Sequence, residues 1–179
     1  MEIRLAREIQ QDSIVDGEGL RAVIWTQGCI HNCKGCHNVH THSFKGGKLF
    51  DVEYIKEEIL KLELQDGITF SGGDPFLQPE QLLELTTFCK KMNINIWAYT
   101  GYVFEDMVKS KIFCDILQNI DVLVDGKYEE SRKSCELVFR GSDNQRIIDV
   151  QKTLNAKAIV LHNKTRNTIV FECSEYMYV

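Results

Sequence analysis

The sequence predicts an α/β fold with parallel strands, because short apolar patterns typical of strands alternate along the chain with amphipathic patterns typical of helices. Strands are indicated at residues 22–26, 68–71, 95–99 and 121–124. A chain of 179 residues can bury about 70% of its unfolded surface, which is enough for one substantial core. We therefore expect residues 1–179 to form a single α/β domain.

Two helical patterns fall between the first strands. Asp51 can cap a helix over residues 51–62, where apolar residues recur on one face. Pro79 suits the first position of a second helix over residues 79–92. Its predicted inward face consists of Leu82, Leu85, Phe88, Cys89 and Met92.

The remainder of the chain predicts shorter elements. Residues 104–118 favour one broken helix or two, and residues 147–154 favour a further helix. Residues 157–161 and 168–172 flank a polar stretch, which indicates a closing hairpin or strand pair.

Composition excludes several classes of function. The net charge is −5 and no long basic run is present, which argues against nucleic acid as the primary partner. No apolar run approaches the roughly 20 residues of a membrane-spanning helix. The first residues lack the apolar stretch needed for export, and the seven cysteines are an odd number. A reducing, cytoplasmic setting is therefore expected.

Three cysteines in one short loop are the strongest chemical signal. Cys29, Cys33 and Cys36 follow the predicted strand at residues 22–26 with the spacing C-x3-C-x2-C. Iron–sulfur clusters normally take four cysteines, so three thiolates would leave one metal without a protein ligand. An open coordination position is typical of a metal site that performs chemistry, whereas a fully ligated site is usually structural.

A structural zinc site is the alternative reading of the same loop. His31 or His37 could then supply the fourth ligand. Zinc ligands usually come as two separated pairs, and the sequence contains no second such pair. The spacing of the cysteines alone leaves both kinds of site open.

A second motif follows the predicted strand at residues 68–71. Gly72 and Gly73 come at its end, and Asp74 and Pro75 follow them. Glycines at such a position let a ligand approach bare backbone, and open α/β folds bind ligands at the carboxyl ends of their strands. The glycines and the cysteine loop are therefore predicted to lie at the same edge of the sheet. An ordinary strand-to-helix turn is the alternative.

The cysteine loop and the Gly-Gly-Asp-Pro motif together resemble the radical S-adenosylmethionine superfamily. Within it, the chain most resembles the proteins that activate anaerobic ribonucleoside-triphosphate reductases. Five motifs in order carry this resemblance, at residues 14–21, 25–38, 70–75, 121–128 and 140–146. The resemblance implies an incomplete (β/α) barrel with parallel strands, open on one side and truncated.

The resemblance also implies the cofactors. Cys29, Cys33 and Cys36 would hold one [4Fe-4S] cluster, and the amino and carboxylate groups of S-adenosyl-L-methionine would chelate the fourth iron. An electron passed through the cluster would cleave the sulfonium, giving methionine and a 5′-deoxyadenosyl radical. No side chain beyond the cluster ligands is expected to act in this chemistry.

Several residues are expected around the cofactor by the same resemblance. Gly72 and Gly73 would offer backbone groups to the methionine ammonium, with the negative charge of Asp74 nearby. Gly35 and His37 flank the last cysteine and would lie against the adenosine. Many members of the superfamily carry an aromatic residue where this chain has Gly35, so adenine stacking is not expected there.

Further residues are expected at the ends of the next two strands. Thr100 would form a wall of the same pocket. Asp125 and Lys127 would help to hold the methionine carboxylate or a cation, although Asp125 and Gly126 also fit an ordinary turn. Cys89 and Cys173 lie in apolar patterns and are expected to be small buried residues.

The function implied by the resemblance is the generation of a glycyl radical on an anaerobic ribonucleoside-triphosphate reductase. The electron donor would be reduced flavodoxin or a ferredoxin. Two enzymatic alternatives remain open, namely a pyruvate formate-lyase-type activase and a small-molecule radical S-adenosylmethionine enzyme. A zinc-binding interaction module is the alternative from a non-enzyme class.

Overall fold

A computed structural model describes residues 1–162, so the predicted strand at residues 168–172 and Cys173 lie outside the described part. One mixed sheet of eight strands organises this part of the chain. The strands are β1 (Glu2–Leu5), β2 (Gln10–Ser13), β3 (Arg21–Thr26), β4 (Lys48–Asp51), β5 (Gly67–Gly72), β6 (Asn95–Tyr99), β7 (Val122–Asp125) and β8 (Arg146–Asp149).

Four parallel strands form the centre of the sheet. The order is β4-β1-β3-β5-β6-β7-β8, with β2 paired to β3. Strands β3, β5, β6 and β7 run parallel to one another, and the outer strands pair antiparallel. Within residues 1–162 the sheet does not close on itself, because β4 and β8 are its two ends. The predicted open α/β architecture with parallel strands is confirmed.

Five α-helices are present in residues 1–162, and most of them connect the parallel strands. They are α1 (Val52–Leu60), α2 (Pro79–Lys91), α3 (Phe104–Met107), α4 (Lys111–Leu117) and α5 (Val150–Ala156). The predicted cap of α1 is confirmed, because the Asp51 carboxylate accepts a hydrogen bond of 3.0 Å from Glu53 N. None of these helices is both long and apolar enough to cross a membrane.

The core lies between these helices and one face of the sheet. Helices α1, α2 and α4 contribute apolar side chains that pack on those of β3, β5 and β6. In α2 the predicted inward residues Leu82, Leu85 and Cys89 are fully buried, and Phe88 is partly buried against the core. The prediction for Met92 is wrong, because α2 ends at Lys91 and the Met92 side chain is 49% exposed as its C-cap.

The predicted helix at residues 147–154 is wrong over its first part. Ile147 and Ile148 belong to β8, which pairs antiparallel with β7, and only from Val150 does the chain become helical. The Asp149 carboxylate marks the change by accepting a hydrogen bond of 3.0 Å from Lys152 N. Burial of both isoleucines against β7 outweighs their fit to a helical pattern. In place of a strand at residues 157–161, an isolated bridge pairs Leu161 with Ile148.

The buried side chain of Arg21 joins the central strands at their amino-terminal ends. The Arg21 guanidinium donates to Thr69 Oγ1 (2.7 Å), to Ile68 O (2.7 Å) and to Asn95 O (3.1 Å), which joins β3, β5 and β6 where they begin. It also lies 5.5 Å from the ring centroid of Trp97. Burial lowers the pKa of Arg21 to about 10, so the group remains charged at neutral pH.

Candidate metal centre

A cavity of about 490 Å³ lies at the carboxyl ends of the four parallel strands. Its lining comes from the loop after β3, the end of β5, the turn after β6 and the turn after β7. The loop after β3 contributes Cys29, Cys33 and Cys36, and the end of β5 contributes Gly72 and Gly73. The parallel register thus brings together the two motifs that the sequence predicted at one edge.

Hydrogen bonds between the first and last residues of the cysteine loop hold its two ends together. Gly28 N donates to Thr41 O (2.7 Å), and Cys29 N donates to His42 O (3.0 Å). The Gln27 amide donates to the carbonyls of His40 (3.2 Å) and Ser43 (2.7 Å). These bonds anchor the first cysteine, and a turn from Cys36 N to Cys33 O (3.2 Å) connects the other two.

The three thiols are partly exposed and unpaired with one another. Burial raises the pKa of Cys29 and of Cys33, so a positive metal is needed to favour their thiolate forms. Among residues 1–162, no three His, Cys, Asp or Glu side chains converge on a point where one metal ion could sit.

This donor set fits a cluster better than a single zinc ion. Zinc requires its sulfur ligands to converge at about 2.3 Å from one point, whereas each cysteine of a cluster binds its own iron. The two histidines considered as zinc ligands each contact another side chain. His31 Nε2 lies 2.6 Å from Asp74 Oδ2, and the His37 ring lies 5.1 Å from that of Tyr128.

The glycine pair packs directly on the cysteine loop. Gly73 N donates to Thr26 O (2.8 Å), and Asp74 N donates to Gly28 O (2.8 Å). A Cβ atom on Gly73 would overlap with the Gly28 carbonyl, and Gly72 has a φ of +108° that favours glycine. Both positions therefore require glycine to bring the end of β5 beside the cysteines.

Asp74 lies beneath the cavity lining and is fully buried. Its carboxylate accepts hydrogen bonds from Phe76 N (3.0 Å), Thr100 Oγ1 (2.9 Å), Gly101 N (3.0 Å) and His31 Nε2 (2.6 Å). The predicted role of Asp74 beside the methionine ammonium stays a prediction. Thr100 lines the cavity as predicted.

Asp125 and Lys127 line a second cavity of about 530 Å³ rather than the cavity of the cysteines. The buried Asp125 carboxylate accepts from Phe104 N (2.8 Å) and from Arg146 Nε (2.9 Å). Arg146 in turn donates two bonds of 2.7 Å to Glu105. The predicted pair thus lines the neighbouring cavity, but the charge of Lys127 still acts on the Cys33 thiol, where it opposes the rise in pKa caused by burial.

The two residues beside Cys36 differ in their surroundings. His37 lines the cysteine cavity, as predicted for a residue near the adenosine. Gly35 has a φ of +72°, and a Cβ atom there would lie 2.7 Å from the Glu130 carboxylate. Gly35 thus packs against Glu130, outside the residues that line the cavity.

Other cavity residues were not predicted. They include Trp25 and two segments that carried the family resemblance without an assigned role. These segments supply Ile14, Val15, Asp16, Arg140, Gly141 and Gln145. Arg140 donates from Nη1 to Gln145 O (2.7 Å), and its buried Nε has no hydrogen-bond partner among residues 1–162. The resemblance in residues 14–21 and 140–146 was the signal that could have pointed to them.

The match to one family model agrees with this donor set. The model of a family described as a 4Fe-4S single cluster domain matches residues 15–148, which include all three cysteines and the glycine pair. The solved structure of QueE from Escherichia coli has a TM-score of 0.47 and 19% identity, and the match covers 56% of this chain and 53% of that one.

Curated relatives share one name. The anaerobic ribonucleoside-triphosphate reductase-activating protein of Pasteurella multocida (strain Pm70) is 39% identical over 143 residues, covering 74% of this chain and 89% of the relative. The protein of that name from Enterobacteria phage T4 is 38% identical, covering 74% and 86%. That from Escherichia coli (strain K12) is 32% identical, covering 74% and 90%. With three cysteines around one cavity and these matches along most of its length, the chain is a [4Fe-4S] protein that belongs to the family of anaerobic ribonucleoside-triphosphate reductase-activating proteins.

Proposed function

We propose that this chain is a radical S-adenosylmethionine oxidoreductase that activates an anaerobic ribonucleoside-triphosphate reductase by generating a glycyl radical on it. One observation carries the proposal. Three cysteines line a single cavity beside the bare backbone end of β5, and among residues 1–162 no fourth cysteine lines it. A cluster held by three thiolates keeps one iron open for a ligand that is not protein.

Different residues around the cavity are assigned to the two cofactors. Cys29, Cys33 and Cys36 would hold the cluster, and Gly72 and Gly73 would offer backbone groups to the ammonium of S-adenosylmethionine. When bound, the two cofactors supply a one-electron cleavage of the sulfonium and a carbon radical that takes a hydrogen atom from a glycine α-carbon of the partner. The protein contributes the spacing, the orientation and a lining that restricts water.

The carboxylate of the cofactor requires a cation, and Arg140 is a candidate for this role beside Lys127. Among residues 1–162, Arg140 is the only lysine or arginine in the lining of the cysteine cavity. Its bond to Gln145 O holds the guanidinium in place while Nε remains unpaired. Lys127 lines the neighbouring cavity instead, and Asp74 and Asp125 hold loops in place.

The shape of the cavity supports a protein as substrate. Within residues 1–162 the sheet is open between β4 and β8, which is compatible with the approach of a glycine-bearing segment from a partner protein. Exposed apolar side chains of Ile14, Val15 and Val138 line the cavity and could receive such a segment. We further propose that the chain folds as one domain and works in the cytoplasm with reduced flavodoxin or a ferredoxin as electron donor.

The test follows hydrogen from the partner into the product. Reduced protein, S-adenosylmethionine and a reductase whose target glycine is deuterated at the α-carbon should give a glycyl radical EPR doublet on the reductase. Deuterium should appear in the 5′-deoxyadenosine that is released. A radical formed on a pyruvate formate-lyase and not on the reductase would contradict the choice of partner. An intact reduced cluster that yields no 5′-deoxyadenosine would contradict the enzymatic function.

A further inference from the structure

We propose that His31 is a positioning residue for this reaction. Its imidazole, bound to Asp74, fixes the cysteine loop against the ends of β5 and β6, so that the cluster and the cofactor-binding backbone keep one spacing. This inference rests on the proposed function and concerns the same site.

The position of His31 in the chain makes such a role feasible. It lies between Cys29 and Cys33, so any displacement of its backbone displaces two cluster ligands. Its side chain donates from Nε2 to Asp74 Oδ2 at 2.6 Å. The two side chains are 6% and 0% exposed, so water does not compete for this bond.

Asp74 connects His31 to the two neighbouring strand ends. Its backbone follows the glycine pair at the end of β5, and its carboxylate accepts from Thr100 Oγ1 and Gly101 N at the end of β6. One carboxylate therefore joins the loops that follow β3, β5 and β6. All three loops line the cavity of the cysteines.

The imidazole also fits a socket formed by the turn after β6. A Cβ atom on Gly101 would overlap with the His31 ring, so glycine is required there for the ring to pack. The Tyr102 ring meets the imidazole edge-on, with centroids 4.7 Å apart. These two contacts restrict the position of the imidazole ring.

The imidazole also stands between two cavities. His31, Gly101 and Gly126 line both the cavity of the cysteines and the neighbouring cavity of about 530 Å³. Without the imidazole ring the two cavities would be joined. The cysteine loop could then move towards the cavity of about 530 Å³. Loss of the ring should therefore loosen the spacing between cluster and cofactor while leaving all three thiols in the chain.

Three variants separate the possible roles of this residue. His31→Leu keeps a similar volume without the hydrogen bond, and His31→Gln keeps an N–H donor that can reach Asp74. His40→Leu is the matched control, because His40 is exposed and lies outside both cavities. All variants are reconstituted with iron and sulfide and compared with the wild type.

We expect His31→Leu to take up iron like the wild type and to bind S-adenosylmethionine about 10- to 100-fold more weakly, since partners behind metal ligands typically have effects of this size. Titration of the cofactor into reduced protein, followed by the EPR signal of the cluster, measures this. Iron should also pass to a chelator several-fold faster from His31→Leu. His31→Gln should recover most of both properties, and His40→Leu should match the wild type.

The effect should depend on Asp74. Introduced into an Asp74→Asn background, His31→Leu should change the rate of iron loss less than it does alone, because the two residues act through one bond. Cofactor affinity and iron loss within twofold of the wild type in His31→Leu would overturn the proposal, and so would failure of both His31→Leu and His31→Gln to take up iron. If the wild type itself binds no S-adenosylmethionine, the proposed function fails, and the rates of iron loss still decide the role of His31.

Discussion

At the scale of single residues, the cysteines differ in their surroundings more than in their chemistry. Cys29, Cys33 and Cys36 are partly exposed around one cavity. Cys89 is fully buried in the core, where burial raises its pKa to about 12. Cys114 donates to Val108 O, and Cys135 is exposed on another part of the surface. Among the cysteines of residues 1–162, only the first group has both the access and the neighbours that a cluster requires.

Replacement of any one cavity cysteine by alanine should abolish the cluster, because two thiolates cannot hold it. Iron and sulfide per chain after anaerobic reconstitution measure this. Cys135→Ala and Cys114→Ala are the matched controls and should keep the iron content of the wild type. Full iron content in Cys33→Ala would contradict the assignment.

Gly73→Ala should lower iron uptake as well as cofactor binding. The added methyl group would overlap with the Gly28 carbonyl, so the cysteine loop must move, at a cost of about 1–3 kcal/mol for overpacking. The φ of Gly73 is not in the left-handed region, so the effect reports steric overlap and not backbone strain. Normal iron uptake and normal cofactor affinity in this variant would show that the two loops are independent.

The cysteines and glycines could be predicted from the sequence, whereas the directions of the carboxylates could not. A pattern indicates that Asp74 and Asp125 follow strands, but the direction of a side chain depends on which donors the fold brings near it. Asp74 meets His31, Thr100 and the backbone of Gly101, all of them distant in sequence. Only the assembled sheet reveals these partners.

At the scale of elements, the central strands were predictable and the edges were not. Strands β3, β5, β6 and β7 combine apolar runs with turn residues at their ends, and these features are local. Strand β8 is different, because Ile147, Ile148, Val150 and Leu154 also fit a helical face. Pairing with β7, which the sequence does not display, decides that the first two residues form a strand.

Arg21→Met should destabilise the fold by about 3 kcal/mol or more, because the carbonyls and hydroxyl that the guanidinium satisfies would be buried without partners. Unfolding in urea measures the change in free energy. Arg132→Ala is the control, since the Arg132 ion pair with Asp143 is about half exposed and should contribute less than about 1 kcal/mol. Equal losses in the two variants would contradict the structural role of Arg21.

The ion pair between Arg146 and Glu105 joins β8 to α3 and should make stability depend on acid pH. The hydrogen bond from Arg146 lowers the pKa of Glu105 below its ordinary value of 4.5. A lowered folded pKa means that this contribution is complete above about pH 4.5 and is lost as the pH falls through the folded value. Glu105→Gln should therefore reduce the decline in stability below pH 4.5. Because Glu105 is 40% exposed, the effect should stay under about 1 kcal/mol. If Glu105→Gln lost stability in acid as steeply as the wild type, the contribution of this ion pair would be contradicted.

At the scale of the whole molecule, the cavity is built from the carboxyl edge of an open sheet, and its rim carries exposed apolar side chains. The open architecture with parallel strands was predictable, because it follows from alternating local patterns and from the resemblance. The rim was not, because Val138 and Arg140 reach the cavity through an irregular segment without periodicity.

Binding of the reductase should slow hydrogen exchange at the rim of the cavity, which residues 14–16 and 137–141 form. We expect slower amide hydrogen exchange at residues 14–16 and 137–141 in the presence of the reductase, since these segments line the cavity that the glycine segment enters. Residues 48–51, in strand β4 at the far edge of the sheet, serve as the internal control. Protection confined to that far edge would place the partner elsewhere.

The open edge of the sheet in residues 1–162 has a consequence for the lifetime of the radical on this chain. Within residues 1–162 the sheet does not enclose the cavity, so a carbon radical formed there by the proposed reaction would be short-lived unless the partner segment already fills the opening. Its lifetime on this chain must be shorter than the time needed for the partner to leave. The long-lived radical must then reside on the reductase, and this chain is free to leave and serve the next molecule.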